Sequence, residues 1–134
     1  MKVSIIQQEI IWGDKNHNLN TFGSTIESLY GSTELVILPE MFSTGFSVDK
    51  PELAESTDGE AIQAIKRWAK EGNFAIAGSF MASENGKSYN RGFFCKPDGE
   101  ISFADKRHLF IGDEQKYFTA GDKHLDIEYK GIKF

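Results

Sequence analysis

Two short apolar runs, separated by a segment with helical periodicity, constrain the fold more than any other feature of the sequence. Lys2–Gln8 and Glu34–Leu38 are rich in β-branched and aliphatic residues, as buried strands are, and Pro39 ends the second run. Between them, apolar side chains recur every three or four residues over Asn16–Tyr30, which predicts a helix. This order of strand, helix and strand predicts an α/β layered fold.

Residues at the ends of the first predicted helix indicate its length. Asn16 or Asn18 can supply the side-chain cap at its start, and Gly31 is placed to end it. Gly23 lies in the interior of this segment and lowers its helix propensity.

The chain after Pro39 predicts a second helix and then three strands. Thr57 and Glu60 have the spacing of a capping box, in which the two side chains cap the start of a helix, and Gly72 is placed to end it. Turn motifs at Asn85-Gly86 and Pro97-Asp98-Gly99 separate the three strands that follow: Phe74–Phe80, Lys87–Cys95 and Glu100–Asp105.

The last segment indicates that the sequence stops within an element. His124–Lys130 alternates polar and apolar residues as a strand does, Gly131 turns the chain, and Ile132–Phe134 begins a new run. Because a strand of three residues cannot hold itself, we expect residues 1–134 to be the N-terminal part of a longer protein.

Composition and charge exclude several classes of protein. The 134 residues can bury a sizeable core, and they carry a net charge of −5 without a basic block, which argues against a nucleic-acid partner. No apolar run approaches the ~20 residues of a membrane span, and the N-terminus turns polar too soon for a signal peptide. The single cysteine fits a reducing compartment. We therefore expect a soluble cytoplasmic protein that binds neither membrane nor nucleic acid.

One carboxylate lies at the end of a predicted strand, where α/β folds commonly bind ligands. Glu40 follows the predicted Glu34–Leu38 strand, and open α/β sheets bind ligands at the ends of their strands. The uncharged loop after it, Met41–Val48, resembles a pocket wall that contains Phe42 and Phe46. Two plainer interpretations stay open: a solvated loop glutamate, and a loop that packs on the core through its phenylalanines.

Ionisable residues also cluster after the last predicted strand. Lys106 lies in the run 105–108, which a solvated surface turn would also contain. If Lys106 lies beside Glu40, its ammonium can stabilise an oxyanion while the carboxylate transfers a proton. The local sequence slightly favours Glu114 as part of a short helix cap, and the alternative is a second carboxylate in the same site.

Residues for other chemistries are missing or poorly placed. The three histidines, His17, His108 and His124, are too scattered for metal ligands. Cys95 lies in a predicted buried strand with no helix N-terminus to activate it, which favours a structural cysteine. No phosphate-binding glycine loop, serine elbow or dinucleotide fingerprint is present, and we expect neither a metal nor a cofactor.

Several motifs occur together along essentially the whole chain. They are Trp12-Gly13-Asp14 with Asn18, Leu38–Phe46, Tyr89-Asn90-Arg91 with 97–100, 105–110, 112–114 and 118–122. In this combination the sequence resembles the nitrilase superfamily of carbon-nitrogen hydrolases, and most closely its bacterial omega-amidase-like branch. The resemblance implies that residues 1–134 are the N-terminal part of a single domain, a four-layer α-β-β-α sandwich.

The resemblance also implies roles for four residues. Glu40 would act as general base toward a cysteine thiol and then as acid toward departing ammonia. Lys106 would stabilise the tetrahedral oxyanion, Glu114 would orient Lys106 or the substrate, and Phe46 would line the pocket. The family's cysteine lies on a turn expected beyond Phe134, in a Cys-Tyr-Asp-type motif.

Two functions from different classes follow from these observations. In the first, a longer protein cleaves a small carboxamide through a cysteine thioester. This protein would be a homo-oligomer, such as the dimers common in the family. The omega-amide of a 2-oxo acid is one such substrate. In the second, the chain is a non-catalytic fragment or interaction protein with the same fold. Because Cys95 does not take the place of the family's nucleophile, we expect residues 1–134 alone to be inactive.

Overall fold

The computed structural model describes all 134 residues, which form a mixed five-stranded sheet, three helices and a small C-terminal hairpin. The strands of the sheet are β1 (Val3–Ile5), β2 (Leu35–Ile37), β3 (Ala75–Glu84), β4 (Lys87–Cys95) and β5 (Ile101–Asp105). The helices are α1 (Lys15–Glu27), α2 (Glu60–Gly72) and α3 (Asp113–Tyr117), with one 3-10 turn at Pro51–Leu53. The hairpin consists of β6 (Glu128–Tyr129) and β7 (Ile132–Lys133). The predicted α/β fold is confirmed, and none of the helices combines the length and apolarity that crossing a bilayer requires.

Neighbouring strands pair in parallel in the first part of the sheet and antiparallel in the rest. Its order is β1-β2-β3-β4-β5, in which the first three strands run parallel and the last three alternate in direction. Strand β5 therefore runs parallel to β2. The C-terminal ends of both strands lie along the same edge of the sheet, the edge formed by the strand ends. Asn85 and Gly86 close the β3–β4 hairpin with positive φ angles of 50° and 74°, so the predicted Asn-Gly turn is confirmed.

Helices α1 and α2 cover one face of the sheet and form the main core with it. Gly23 of α1 lies at their contact, where a Cβ atom would be 2.9 Å from Cζ2 of Trp68 in α2. The glycine that lowers helix propensity thus allows the two helices to approach closely. The largest fully buried side chains of this core are Phe22, Ile26, Phe42, Ile62, Ile65, Phe74, Ile76 and Phe80.

The opposite face of the sheet is covered only in part. Leu35 and Phe94 pack on this face against Tyr129 of the C-terminal hairpin. Val3 and Ile5 of the edge strand β1 lie on the same face as Leu35 because the two strands pair in register, and Ile5 is 76% exposed. Residues 1–134 therefore leave apolar side chains of this face uncovered.

The start of α1 differs from the predicted cap. Asp14 caps the helix by accepting a hydrogen bond at 3.0 Å from the backbone N–H three residues later, so the prediction of Asn16 or Asn18 is wrong. The Asn18 side chain is instead fully buried, and its amide donates to the carbonyls of Ile11 and Ser43 at 2.8 and 3.0 Å. Asn18 therefore ties α1 to two loops.

The predicted capping box of the second helix is also wrong. A capping box needs Thr at the N-cap and Glu three residues into the helix, but α2 begins at Glu60 itself and Gly59 is its N-cap. Thr57 consequently lies too early in the chain to cap it. The carboxylate of Glu55 takes over part of this role by accepting a hydrogen bond from the backbone N–H of Ala61 at 3.3 Å.

The predicted strand His124–Lys130 is only partly formed. Regular pairing is limited to Glu128–Tyr129 with Ile132–Lys133. Leu125 and Ile127 nevertheless pack toward the sheet, as the alternation predicts. The segment therefore packs on the sheet without regular pairing and finds a strand partner only at the hairpin.

Packing at Gly23 predicts that a larger side chain there destabilises the fold. We expect Gly23→Val to lower the free energy of unfolding by about 1–3 kcal/mol, because the branched side chain must push the Trp68 ring and α2 away. Urea denaturation of both proteins measures the difference.

Asn20→Val is the matched control, since it places the same residue on the exposed side of α1. Its effect is expected to stay within about 0.5 kcal/mol. A Gly23→Val variant as stable as the native protein, or more stable, would contradict the close contact, because valine has a higher helix propensity than glycine.

Candidate active site

A loop fixed to strand β3 holds Glu40 at the end of β2. The backbone N–H of Met41 donates to the Ser79 hydroxyl at 3.0 Å, and that of Phe42 donates to the Ser79 carbonyl at 3.2 Å. Met41 is fully buried and has a left-handed φ of 55°, which turns the chain sharply. This turn leaves the Glu40 side chain 44% exposed at the edge of the sheet.

Lys106 follows the end of β5 at the same edge. Its backbone N–H donates to the Asn90 carbonyl at 2.8 Å, and its carbonyl accepts from the Gly121 N–H at 3.0 Å. The side-chain ammonium contacts two carboxylates: Nζ is 2.9 Å from Glu40 Oε1 and 3.0 Å from Glu114 Oε2. Glu40 and Lys106 are 66 residues apart in the sequence, and the parallel direction of β2 and β5 brings them together.

Glu114 lies in α3 and is only 4% exposed. Its Oε2 accepts from the backbone N–H of Phe110 at 2.6 Å as well as from Lys106, and its Oε1 accepts from the Asn90 side-chain amide at 3.0 Å. No side chain caps the start of α3, so the slightly favoured prediction that Glu114 is part of a helix cap is wrong. The Glu114 carboxylate faces the site.

Asn90 is the site residue that sequence reasoning did not nominate. Its side-chain nitrogen donates to Glu40 Oε1 at 2.6 Å and to Glu114 Oε1 at 3.0 Å, and the residue is only 2% exposed. One amide therefore bridges both carboxylates. The available signal is an uncharged polar residue in the middle of predicted strand Lys87–Cys95, which needs a partner when it is buried.

Hydrogen bonds keep the buried charges of the site ionised. Burial disfavours the charged form of Lys106, but its hydrogen bonds to Glu40 and Glu114 outweigh burial and raise the pKa of Lys106. Burial also disfavours the charged form of Glu114, yet hydrogen bonds from Asn90, the Phe110 N–H and Lys106 lower the pKa of Glu114. Near neutral pH the site therefore contains an ammonium held by a carboxylate.

A cleft of about 570 Å³ opens onto these charged groups. Its charged lining residues are Glu40, Lys106, Asp113 and Glu114, and the rest of the lining is mainly apolar and includes Phe46. Phe46 is 39% exposed at the cleft, so the structure brings the four predicted site residues to one place. An ammonium and a carboxylate beside an apolar cleft can polarise a carbonyl group and transfer a proton.

Cys95 lies apart from this site. It is fully buried in the core between the sheet and the helices, five residues along β4 from Asn90, or roughly 17 Å at the rise of an extended strand. Burial raises the pKa of the Cys95 thiol to about 11, which disfavours the reactive thiolate. The favoured interpretation of Cys95 as a structural residue agrees with this environment.

Comparison with known proteins identifies the family. The family model named carbon-nitrogen hydrolase matches residues 2–133. The chain belongs to the carbon-nitrogen hydrolase family. It is 32% identical to the omega-amidase YafV of Escherichia coli (strain K12) over 98% of this chain and 51% of that protein. It is 29% identical to the 2-oxoglutaramate amidase of Bacillus subtilis (strain 168) over 98% of this chain and 52% of that protein.

Solved structures of this family share the fold. XC1258 from Xanthomonas campestris, a CN-hydrolase superfamily protein with an arsenic adduct in its active site, superposes with a TM-score of 0.94 at 36% identity. That match covers 98% of this chain and 50% of XC1258. Nit3 of Saccharomyces cerevisiae is a member of branch 10 of the nitrilase superfamily. It superposes with a TM-score of 0.88 at 26% identity, over 99% of this chain and 53% of Nit3.

These comparisons confirm the resemblance and the nitrilase-type fold that the motifs predict. The chain spans about half the length of the curated relatives it matches.

The buried carboxylate predicts a pH-dependent contribution to stability. We expect Glu114→Gln to lower the free energy of unfolding by about 1.5–3 kcal/mol at about pH 7, because it weakens hydrogen bonds to a charged acceptor. Folding lowers the pKa of Glu114 below 4.5, so the stabilisation is present above that pH and is lost as the pH falls through the lowered pKa. Urea unfolding of both proteins across this pH range measures the effect.

Asp113→Asn removes the same charge from an exposed neighbour in α3 and serves as the control. We expect it to change stability by no more than about 0.5 kcal/mol. A Glu114→Gln deficit that stays constant as the pH falls would contradict the assigned hydrogen bonds to the ionised carboxylate.

Proposed function

We propose that the full-length protein containing residues 1–134 is an amidase that hydrolyses a small carboxamide to the acid and ammonia. The observation that carries this proposal is the contact of Lys106 with Glu40 and Glu114 at the mouth of the cleft. These groups supply a proton acceptor and an oxyanion stabiliser, two of the three functions that acyl transfer to a nucleophile requires.

We propose further that residues 1–134 form the N-terminal part of one carbon-nitrogen hydrolase domain. The chain spans about half of its relatives, which supports this proposal. So does the second face of the sheet, where Ile5 is 76% exposed and Val3 is 43% exposed. A second sheet that packs on this face would bury both side chains and complete a four-layer sandwich.

The nucleophile in this proposal is a cysteine from outside residues 1–134. Its thiol would approach Glu40, whose carboxylate takes the proton as sulfur attacks the amide carbon. Lys106 would stabilise the negative charge that develops on the carbonyl oxygen. Glu114 and Asn90 would hold these groups in position through the hydrogen bonds described above.

The reaction then runs through a thioester. As the tetrahedral intermediate collapses, Glu40 returns the proton to the departing nitrogen, the C–N bond breaks and ammonia leaves. A water molecule next attacks the thioester as Glu40 accepts a proton from it. When the C–S bond breaks, Glu40 returns that proton to the sulfur, which releases the acid and restores the thiol. No atom changes oxidation state over this cycle, so the proposed reaction needs no redox cofactor.

The relatives narrow the substrate class. One is named for omega-amidase activity and another for 2-oxoglutaramate. We therefore propose that the substrate is a small omega-amide of a 2-oxo acid. A cytoplasmic location, a homo-oligomeric full-length form and the assignment of Phe46 to substrate binding stay predictions.

The alternative is a non-catalytic protein with the same fold. In favour of it, the sole cysteine of residues 1–134 is buried away from the cleft. Against it, Lys106 and Glu40 pair beside an open cleft, and ionisable groups with perturbed pKa values in a cleft are typical of functional sites. We therefore prefer the amidase.

Substitution of the charged groups in the full-length protein tests this proposal. We expect Glu40→Gln and Lys106→Ala each to lower kcat for an omega-amide by about 10²–10⁴-fold, because each removes a group that acts in the transition state. Ammonia release in a coupled assay measures the rate.

The controls change the same residue types on exposed surface: Glu52→Gln and Lys87→Ala. Both, together with Cys95→Ser, are expected to stay within about threefold of the wild type, well short of the loss that removal of a transition-state group causes. Turnover that survives Glu40→Gln, or that depends on Cys95, would contradict the proposed roles.

Residues 1–134 by themselves provide a further test. We expect this segment to release no ammonia from any amide, because its sole cysteine is buried with a pKa raised to about 11. Turnover by the segment that survives Cys95→Ser would contradict the thioester mechanism.

A further inference from the structure

Trp12 is an exposed aromatic residue at the cleft. Its side chain lines the cleft that opens onto Glu40 and Lys106, and the residue is 64% exposed. Phe110 and Ile111 are also exposed at this cleft, and an exposed apolar patch marks contact with another molecule or another part of the protein. Neither the predicted site residues nor the charged cluster includes Trp12.

The position of Trp12 is fixed by its surroundings. A Cβ atom on Gly45 would be 2.4 Å from Trp12 Cδ1, so the indole lies directly against the glycine backbone. Gly45 has a φ of 59°, a conformation in which glycine is favoured. The Phe46 ring meets the indole edge-on, with ring centroids 6.2 Å apart.

Hydrogen bonds also tie the backbone on both sides of Trp12 to the loop after Glu40. The Gly13 N–H donates to the Thr44 carbonyl at 2.9 Å. The buried Asn18 amide donates to both the Ile11 and the Ser43 carbonyls, and the Ile11 N–H donates back to Asn18 Oδ1 at 2.9 Å. The indole is therefore held in place before any ligand binds.

The chemistry of the cleft wall defines what such a fixed indole would contact. Beside the charged groups, the cleft is lined by the apolar residues Trp12, Phe46, Val48, Phe110 and Ile111. An amide whose carbonyl oxygen meets Lys106 would direct its acyl chain along this apolar lining. The face of an indole binds methylene groups through burial of apolar surface.

We infer that Trp12 determines substrate specificity by favouring amides whose acyl chain extends past the carbonyl by two or more methylene groups. This inference rests on the proposed amidase function and assigns the acyl-chain contact of that site. It names an uncharged methylene chain as the part of the substrate that this wall recognises. The two methylene groups of an omega-amide of a five-carbon 2-oxo acid satisfy this requirement.

The test is a chain-length series in the full-length protein: acetamide, propionamide, butyramide and valeramide. Burial of each methylene group on the wall is expected to raise kcat/KM of the wild type by about three- to fourfold. Trp12→Ala should weaken this dependence and lower kcat/KM for valeramide by about tenfold, mainly through KM, while acetamide changes by no more than about twofold. Trp12→Phe should retain most of the chain-length preference.

Ile11→Ala is the matched control, because Ile11 is a neighbouring exposed apolar residue whose side chain does not line the cleft. It should leave the chain-length dependence unchanged. A Trp12→Ala variant that keeps the wild-type dependence, or that loses activity equally on all four amides, would overturn the inference. The second result is the one expected if Trp12 packs against the remainder of the domain instead of substrate.

A binding measurement separates failure of this inference from failure of the proposed function. Trp68 is buried and Trp12 is exposed, so valeramide should change tryptophan fluorescence in a manner that Trp12→Phe abolishes. If the wild type hydrolyses no amide but this signal is present, the amidase proposal fails and the role of Trp12 in binding stands. If amides are hydrolysed without a Trp12-dependent signal or chain-length effect, the amidase stands and the inference fails.

Discussion

The ammonium of Lys106 lies between two carboxylates, and the chemistry available to this protein depends on that contact. Glu114 is almost fully buried, and a buried carboxylate is unfavourable unless charged and polar donors surround it. Lys106, Asn90 and the Phe110 N–H supply those donors. Glu40, which is more exposed, also contacts Lys106 and Asn90, and both contacts are made by its Oε1 atom. Removing any member of the cluster leaves the others incompletely paired.

The sheet positions Glu40 and Lys106 closely enough for this contact. Because β5 runs parallel to β2, the residues that follow the two strands emerge at the same edge, although 66 residues of chain separate them. Strand β4 lies beside β5 and contributes Asn90 beneath the same edge. The loops are then fixed to the sheet by backbone hydrogen bonds, such as that from Phe42 to Ser79. The main core lies on the helical face of the sheet, whereas the charged cluster lies at the ends of its strands.

The sequence predicted those parts of the fold that depend on local signals. Strand and helix order, the Asn85-Gly86 turn and a carboxylate at a strand end follow from periodicity, turn chemistry and chain direction. The helix caps were predicted wrongly because several polar residues precede each helix, and the choice among them depends on which side chain is needed elsewhere. Asn18 was such a case, since two loops use its amide and Asp14 is left to cap the helix.

By itself, the sequence determined the kind of fold, the family motifs and the identity of Glu40, Lys106 and Glu114 as candidates. Only the tertiary structure decided that these three meet, that Asn90 joins them and that Cys95 is separated from them in the core. The physical reason is that local patterns report which face of an element is buried, whereas hydrogen-bond distances between side chains depend on strand register and direction. Those are set by packing between segments that are distant in the chain.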